Sequence, residues 1–304
     1  MISFGIFLLV YLNLPNLEHG VLIVLRKEKR RIKYSFSVLT LVIITLAACG
    51  IQTTNTPEFF NTDNFMVSAH RGAVKYAPEN TIESIRKADE LNYLSVEIDP
   101  RLSKDDNLYL MHDETVDRTT NGKGKIQDLS SEYIDSLKVN TDNYDEYIEQ
   151  IIKVPKFEEA VKEISKTNMI VNIDCSKIDV SIKENADQIV NILTKYRMYN
   201  RSFFVISDKI QRDNFIGLYN DACVSWLYDG KNDLTSEIVK LQDYKNSMLS
   251  IDVKYATKSN LDILNSNDIF YQVYKVEDIE KAKYLKSTGV KMIETDSIVP
   301  NQLD

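Results

Sequence analysis

Residues 94–112 read LSVEIDPRLSKDDNLYLMH, two β-prone runs separated by the turn signal Lys104-Asp105-Asp106-Asn107. That interval is too short for a crossover helix, so the second run returns antiparallel to the first as a hairpin. Elsewhere, β-prone runs at 65–70, 94–100, 107–112, 169–174, 202–207, 223–228, 248–253, 269–274 and 291–295 alternate with helical patterns, the order of parallel βα units. Nine runs are one too many for an eight-stranded barrel. Setting aside 107–112 as the return arm leaves eight, and predicts an α/β fold: a TIM-type (β/α)8 barrel with a small hairpin insertion at the mouth and its active site at the strand C-termini.

The barrel is expected over residues 65–304, and the polar stretch 113–150, with Asn121-Gly122-Lys123-Gly124, as an insertion over its mouth. Ile182, Ala186, Ile189, Val190 and Leu193 repeat at helical spacing and predict a core-facing stripe. A second helix is expected from Glu277 to Ser287, ending at Gly289. A formal net charge of -8 excludes a general nucleic-acid binder, whose affinity rests on clustered Lys and Arg.

The chemistry gathers around the same hairpin. Glu97 and Asp99 are two apart on a strand and project from one face, as cooperating metal ligands must. Their oxygens suit a hard divalent cation, Ca²⁺ or Mg²⁺. Asn172 and Asp174 repeat the arrangement at the end of the next barrel strand. The competing account, that alternating acids mark a solvent face, weakens for barrel strands, which are covered on both sides. His70 and His112 are two of three histidines in the chain. Either alone is as easily structural, but as a pair beside carboxylates they are expected to do acid–base work. Arg71 offers a fork for phosphate oxygens or, alternatively, a salt bridge at the rim. Asn80 or Thr81 is placed to cap the helix starting at Ile82. Gly122-Lys123-Gly124-Lys125 lacks the spacing of a phosphate-binding P-loop and reads as a turn. Trp226 is expected in core or rim packing, with the substrate cleft as the alternative.

His70-Arg71-Gly72, Pro78-Glu79-Asn80-Thr81, Glu97-Ile98-Asp99 and His112-Asp113 are followed by Asp117-Arg118-Thr119-Thr120-Asn121-Gly122-Lys123-Gly124 and Val154-Pro155. In order and spacing they resemble the glycerophosphodiester phosphodiesterase family, over residues 66–304 and most closely to about residue 160. The resemblance implies a TIM-type barrel that hydrolyses a glycerophosphodiester to glycerol 3-phosphate and an alcohol with a divalent cation. By it, Glu97, Asp99 and Asp174 match metal ligands, His70 and His112 the catalytic pair, and Arg71 and Lys177 phosphate contacts. Two stretches depart from the family pattern. Asp174-Cys175-Ser176-Lys177 stands for Glu-x-Lys, giving a shorter third ligand and a lysine displaced to the opposite face if the strand continues. Tyr274-Lys275-Val276-Glu277 stands for Trp-Thr-Val-Asn. The expected substrate is a small-molecule phosphodiester or a glycerophosphate polymer. Alternatives are phospholipase D-like cleavage of lysolipids and a non-catalytic surface binding protein on the same barrel.

Upstream, Arg26-Lys27-Glu28-Lys29-Arg30-Arg31, the apolar stretch 35–48 and Leu46-Ala47-Ala48-Cys49 follow the order of an export signal and resemble a bacterial lipobox. Residues 1–48 are expected to be signal and 49–64 a tether lipidated at Cys49, placing an exported lipoprotein on the outer face of the cell membrane. The alternative, an uncleaved membrane-spanning helix, calls for about 20 apolar residues, more than are present. A further apolar run, 2–14, is either an extra membrane segment or an upstream extension before a start near Leu25. Cys175 and Cys223 have no metal or disulfide spacing and are expected as small buried hydrophobes.

Overall fold

The computed structural model describes residues 64–303, so the expected signal, Cys49 and nearly all of the tether lie outside the described residues. The elements run β1 (Met66–Ala69), α1 (Ile82–Glu90), β2 (Ser95–Ile98), β3 (Pro100–Leu102), β4 (Leu108–Leu110), α2 (Ser131–Ser136), α3 (Phe157–Ile164), β5 (Ile170–Asp174) and α4 (Lys183–Lys195). They continue β6 (Ser202–Val205), α5 (Lys209–Leu218), β7 (Cys223–Tyr228), α6 (Leu234–Leu241), β8 (Asn246–Asp252), α7 (Lys258–Ser266), β9 (Tyr271–Tyr274), α8 (Ile279–Ser287) and β10 (Met292–Thr295). Eight of the strands close a barrel in the order β1-β2-β5-β6-β7-β8-β9-β10, each pair parallel and β10 returning to β1. The expected (β/α)8 barrel is therefore the fold.

The surplus run is the return arm of a hairpin, but its partner is not a barrel strand. After Asp99 the chain leaves the barrel as β3, and β4 pairs with it antiparallel, Pro100 opposite Leu110 and Leu102 opposite Leu108. Met111 N then donates to Asp99 O at 2.9 Å, delivering His112 to the strand ends.

Period-two alternation sorts the barrel side chains. Met66, Ile170, Phe203, Val205, Cys223, Met248, Phe270 and Met292 pack together as an apolar floor inside. Their outward neighbours, among them Val67, Val171, Phe204, Val224 and Ile293, join the helices in the main core. Each such side chain taken out of water contributes roughly 1.5–3 kcal/mol. Above the floor lies a polar layer: Ser68 to Ser95 at 3.0 Å, Ser225 to Ser250 at 2.8 Å, Gln272 to Ser250 at 2.9 Å and Asn172 to Glu294 at 2.8 Å. The site opens above that layer.

Most helices begin at the polar residues that can cap them. Thr81, rather than Asn80, caps α1, its side chain accepting from Ser84 N. Asp208, Asp233, Thr257 and Asp278 do the same for α5 to α8. Because Asp278 is the cap, α8 starts two residues later than expected and leaves Glu277 at the barrel mouth. On α4, Ala186, Ile189, Val190 and Leu193 are buried as expected, whereas Ile182 precedes the helix and is 46% exposed, outside the core stripe. Cys175 and Cys223 are free and buried, and Trp226 packs in the main core with Arg212 over its ring. The stretch 113–150 has its own core, where Val116, Ile126, Ile134 and Leu137 meet Tyr109 and Met111 of the return arm.

Candidate active site

Strand register and the β1 loop bring the acidic cluster together. Glu97 ends one layer above Ser95 on β2 and is the register partner of Asn172 on β5, while Asp99 and Asp174 stand one step higher. Oxygens of Glu97, Asp99 and Asp174 lie within 4.8 Å of one another. Asp99 is clamped by Asn80, whose Nδ2 donates to Asp99 Oδ2 at 2.8 Å while Asp99 N donates back to Asn80 Oδ1 at 3.2 Å. Arg71 N donates to Glu97 Oε2 at 2.8 Å. Arg71 and Asn80 reach these positions in the left-handed backbone region, at φ 56° and 55°. That conformation costs roughly 1–3 kcal/mol at a residue other than glycine, and here surrounding hydrogen bonds hold it.

The cluster fits a cation. Glu97 is buried beside Asp99, and desolvation with like-charge repulsion pushes its carboxyl well above the usual carboxylate range. A divalent ion would offset both penalties. Asn172 Oδ1, buried without a hydrogen-bond donor, adds a neutral oxygen beside them. An all-oxygen set matches hard cations.

Lys177 is where the structure departs from strand logic. The strand does not continue past Asp174. Asp174 accepts from Ser176 N at 2.8 Å and turns Cys175–Lys177 into a single 3₁₀ turn. The turn carries Lys177 back over the site rather than to the opposite face, with Nζ 2.9 Å from Asp99 Oδ1 and in contact with Asp174. Burial opposes the charge of each partner, yet the attraction holds Asp174 below its usual range and Lys177 above its own.

Both histidines carry a carboxylate behind the ring. His70 Nδ1 lies 2.7 Å from Asp296 Oδ1, and His112 Nδ1 lies 2.8 Å from Asp113 Oδ1. An ionised carboxylate only accepts, so each Nδ1 donates and Nε2 is the nitrogen left for proton exchange. Burial works against a charge on His70, but the Asp296 hydrogen bond and the Glu97 and Glu294 carboxylates outweigh it and push the imidazole up to about 10. Asp113 is held well below its usual range, chiefly by hydrogen bonds from Arg118. Arg71 Nη1 pairs with Glu79 Oε1 at 3.1 Å, so the rim salt bridge is present.

A cavity of about 650 Å³ joins these groups, lined by His70, Arg71, Glu97, His112, Asp174 and Lys177. Of the residues expected to be catalytic, metal-ligating or phosphate-binding, all in the described part line it except Asp99, which is buried behind Arg71 and Lys177. Glu294, Gln272 and Asp296 also line it and were not anticipated. Glu294 is buried, accepts from Asn172 Nδ2, and is pushed up by burial. The signal was available: Met292, Glu294 and Asp296 alternate on one face of the last strand as Glu97 and Asp99 do on β2. Glu277 accepts from Asp296 N at 2.9 Å and ties the end of β10.

Comparison with known proteins points one way. Residues 70–299 match the sequence model of the glycerophosphoryl diester phosphodiesterase family. The chain is 33% identical over 136 residues, 45% of its length and 55% of the relative's, to a glycerophosphodiester phosphodiesterase of Caldanaerobacter subterraneus. It is 35% identical over 147 residues, 46% of its length and 42% of the relative's, to glycerophosphodiester phosphodiesterase 1 of Mus musculus. The chain thus spans about half the length of the curated relatives it matches. Among solved structures, an Oleispira antarctica phosphodiesterase in complex with sn-glycerol-3-phosphate superposes with a TM-score of 0.68 at 22% identity, over 78% of this chain and 94% of that one. A glycerophosphodiester phosphodiesterase from Agrobacterium tumefaciens gives 0.66 at 20% identity, over 79% and 98%. At such identities the likeness is one of fold.

Proposed function

The chain belongs to the glycerophosphoryl diester phosphodiesterase family, and from that premise we propose that it hydrolyses glycerophosphodiesters to glycerol 3-phosphate and an alcohol. The observation that carries the reading is the pair of carboxylate-backed histidines, His70 and His112, lining one cavity with Glu97 and Asp174. The Oleispira antarctica neighbour holds sn-glycerol-3-phosphate, the product this reaction requires.

Glu97, Asp99 and Asp174 would hold a divalent cation, Ca²⁺ or Mg²⁺, whose charge offsets that growing on the phosphate oxygens as phosphorus is attacked. Arg71 and Lys177, both on the cavity wall, would orient the phosphate. One histidine takes the proton of the attacking hydroxyl through Nε2, and the other gives a proton to the leaving alkoxide. Asp296 and Asp113 fix the rings so that Nε2 of each is the exchanging nitrogen. The nucleophile is either the neighbouring glycerol hydroxyl, giving a cyclic phosphate that a water then opens to glycerol 3-phosphate, or a water directly. The signal-like N-terminus and Cys49 support a location on the outer face of a bacterial membrane, where head-group diesters and glycerophosphate polymers are the accessible substrates.

Incubating the purified protein with glycerophosphocholine, glycerophosphoethanolamine and a lysolipid tests the reading. Glycerol 3-phosphate from the first two is expected. Turnover of the lysolipid alone would replace the reading with phospholipase D-like cleavage, and binding without turnover of any would replace it with a non-catalytic role.

A further inference from the structure

Arg118 stands outside the chemistry described above, yet its guanidinium joins the two halves of the site. Toward the barrel, Nη1 donates to Glu79 Oε2 at 2.6 Å and Nη2 to Glu79 Oε1 at 2.8 Å. Toward the return arm of the hairpin, Nε donates to Asp113 Oδ2 at 2.6 Å and Nη2 to Asp113 Oδ1 at 3.0 Å. Glu79 is the carboxylate that holds Arg71, and Asp113 is the one that holds His112. Arg71, Glu79, Arg118, Asp113 and His112 therefore form one unbroken chain of charge-assisted hydrogen bonds. The His112 backbone is held by Met111 N on Asp99 O at 2.9 Å and by Arg101 on His112 O at 2.8 Å, which leaves the setting of its ring to Asp113.

We propose that Arg118 is a positioning residue, which sets the His112 ring and the Arg71 guanidinium relative to one another by bridging Asp113 and Glu79. The proposal rests on the reading that His112 exchanges a proton with the substrate. It gives residues 113–150 a function: their apolar core around Val116 and Ile126 anchors the segment from which Arg118 reaches the site. The fork is essential to the geometry, because four bonds in two directions from one planar group are beyond a lysine ammonium.

Two measurements test it on the full chain. In steady-state kinetics, Arg118→Ala should lower kcat roughly 10–100-fold, the range for losing an orienting partner behind a functional side chain. Added guanidinium should restore part of that loss, and Arg118→Lys should not substitute for it. In an Asp113→Asn background the same substitution should cost less, since the arm to His112 is already broken. Independently of turnover, the three histidines His19, His70 and His112 allow imidazole nitrogen signals to be followed by NMR. Arg118→Ala, or Arg118→Lys should the alanine variant fail to fold, should move the His112 signal and leave that of His70 in place. Movement of the His112 signal in a chain that turns over no diester would uphold the positioning role while removing the proposed reaction. Near-wild-type kcat, strictly additive losses in the double variant, or an unmoved His112 signal would each overturn it.

Discussion

His70 and Asp296 stand 226 positions apart in the chain, yet His70 Nδ1 and Asp296 Oδ1 lie 2.7 Å apart where the first and last strands of the barrel meet. Closure of the sheet is what makes the pair: Ala69 faces Thr295 in register, and the next residue on each strand enters the cavity. Barrel integrity and the protonation state of His70 are thus linked.

That link has a sign. In the cation-free protein His70 is raised from 6.5 to about 10, so its contribution to stability is complete below pH 6.5 and is lost as pH rises through about 10. The urea midpoint of the wild type should fall between pH 6 and pH 10 more steeply than that of His70→Gln. Parallel curves would show that His70 titrates alike folded and unfolded.

Both rings are expected to carry proton transfer. His70→Ala and His112→Ala should each lower turnover at least ~100-fold, with circular dichroism showing the fold retained. Near-wild-type turnover in either variant removes that residue from the reaction.

Lys177 would compete with a cation for the carboxylates it touches. Its ammonium lies on Asp99 and Asp174, so a cation drawing on the same oxygens has to displace it. Lys177→Met should therefore tighten Ca²⁺ or Mg²⁺ binding about tenfold or more, read by titration calorimetry, while raising KM through loss of a phosphate contact. Weaker cation binding would mean that the lysine supports the site instead of opposing it.

Gly72 is required by the loop that presents His70 and Arg71. It has φ 84°, and a Cβ there would meet Ser84 Oγ at 2.2 Å and Ser84 Cβ at 2.5 Å. Ser84 is fixed by the α1 capping box, so it has little room to yield. Gly72→Ala should cost about 1–3 kcal/mol of stability and reduce activity with it. An unchanged denaturation midpoint would show that the loop relaxes.

The fold was legible because periodicity and turn chemistry are local. The run around Lys104-Asp105-Asp106-Asn107 identified the hairpin, and the remaining strands counted to eight. The paired acids Glu97 and Asp99 were legible for the same reason, as period-two neighbours. The position of Lys177 was not, because the outcome depends on whether the chain stays extended after Asp174. The Asp174 side chain decides that by capping its own 3₁₀ turn. The bridge from Glu79 through Arg118 to Asp113 was hidden for a different reason. It forms between residues 39 and 5 positions apart, brought together only when the insertion packs on the hairpin, and nothing in their spacing encodes it. Glu294 carried the right alternation, but on a strand whose neighbour in the site is 122 residues away.

Glu97, Asp99 and Asp174 are proposed to hold a divalent cation that serves cleavage of a glycerophosphodiester. Its most direct test follows glycerol 3-phosphate release from glycerophosphocholine before chelator, after chelator, and after Ca²⁺ or Mg²⁺ is restored. Release should stop with chelator and resume with at least one cation; undiminished release in chelator, from protein freed of bound metal, would rule the cation out of the reaction.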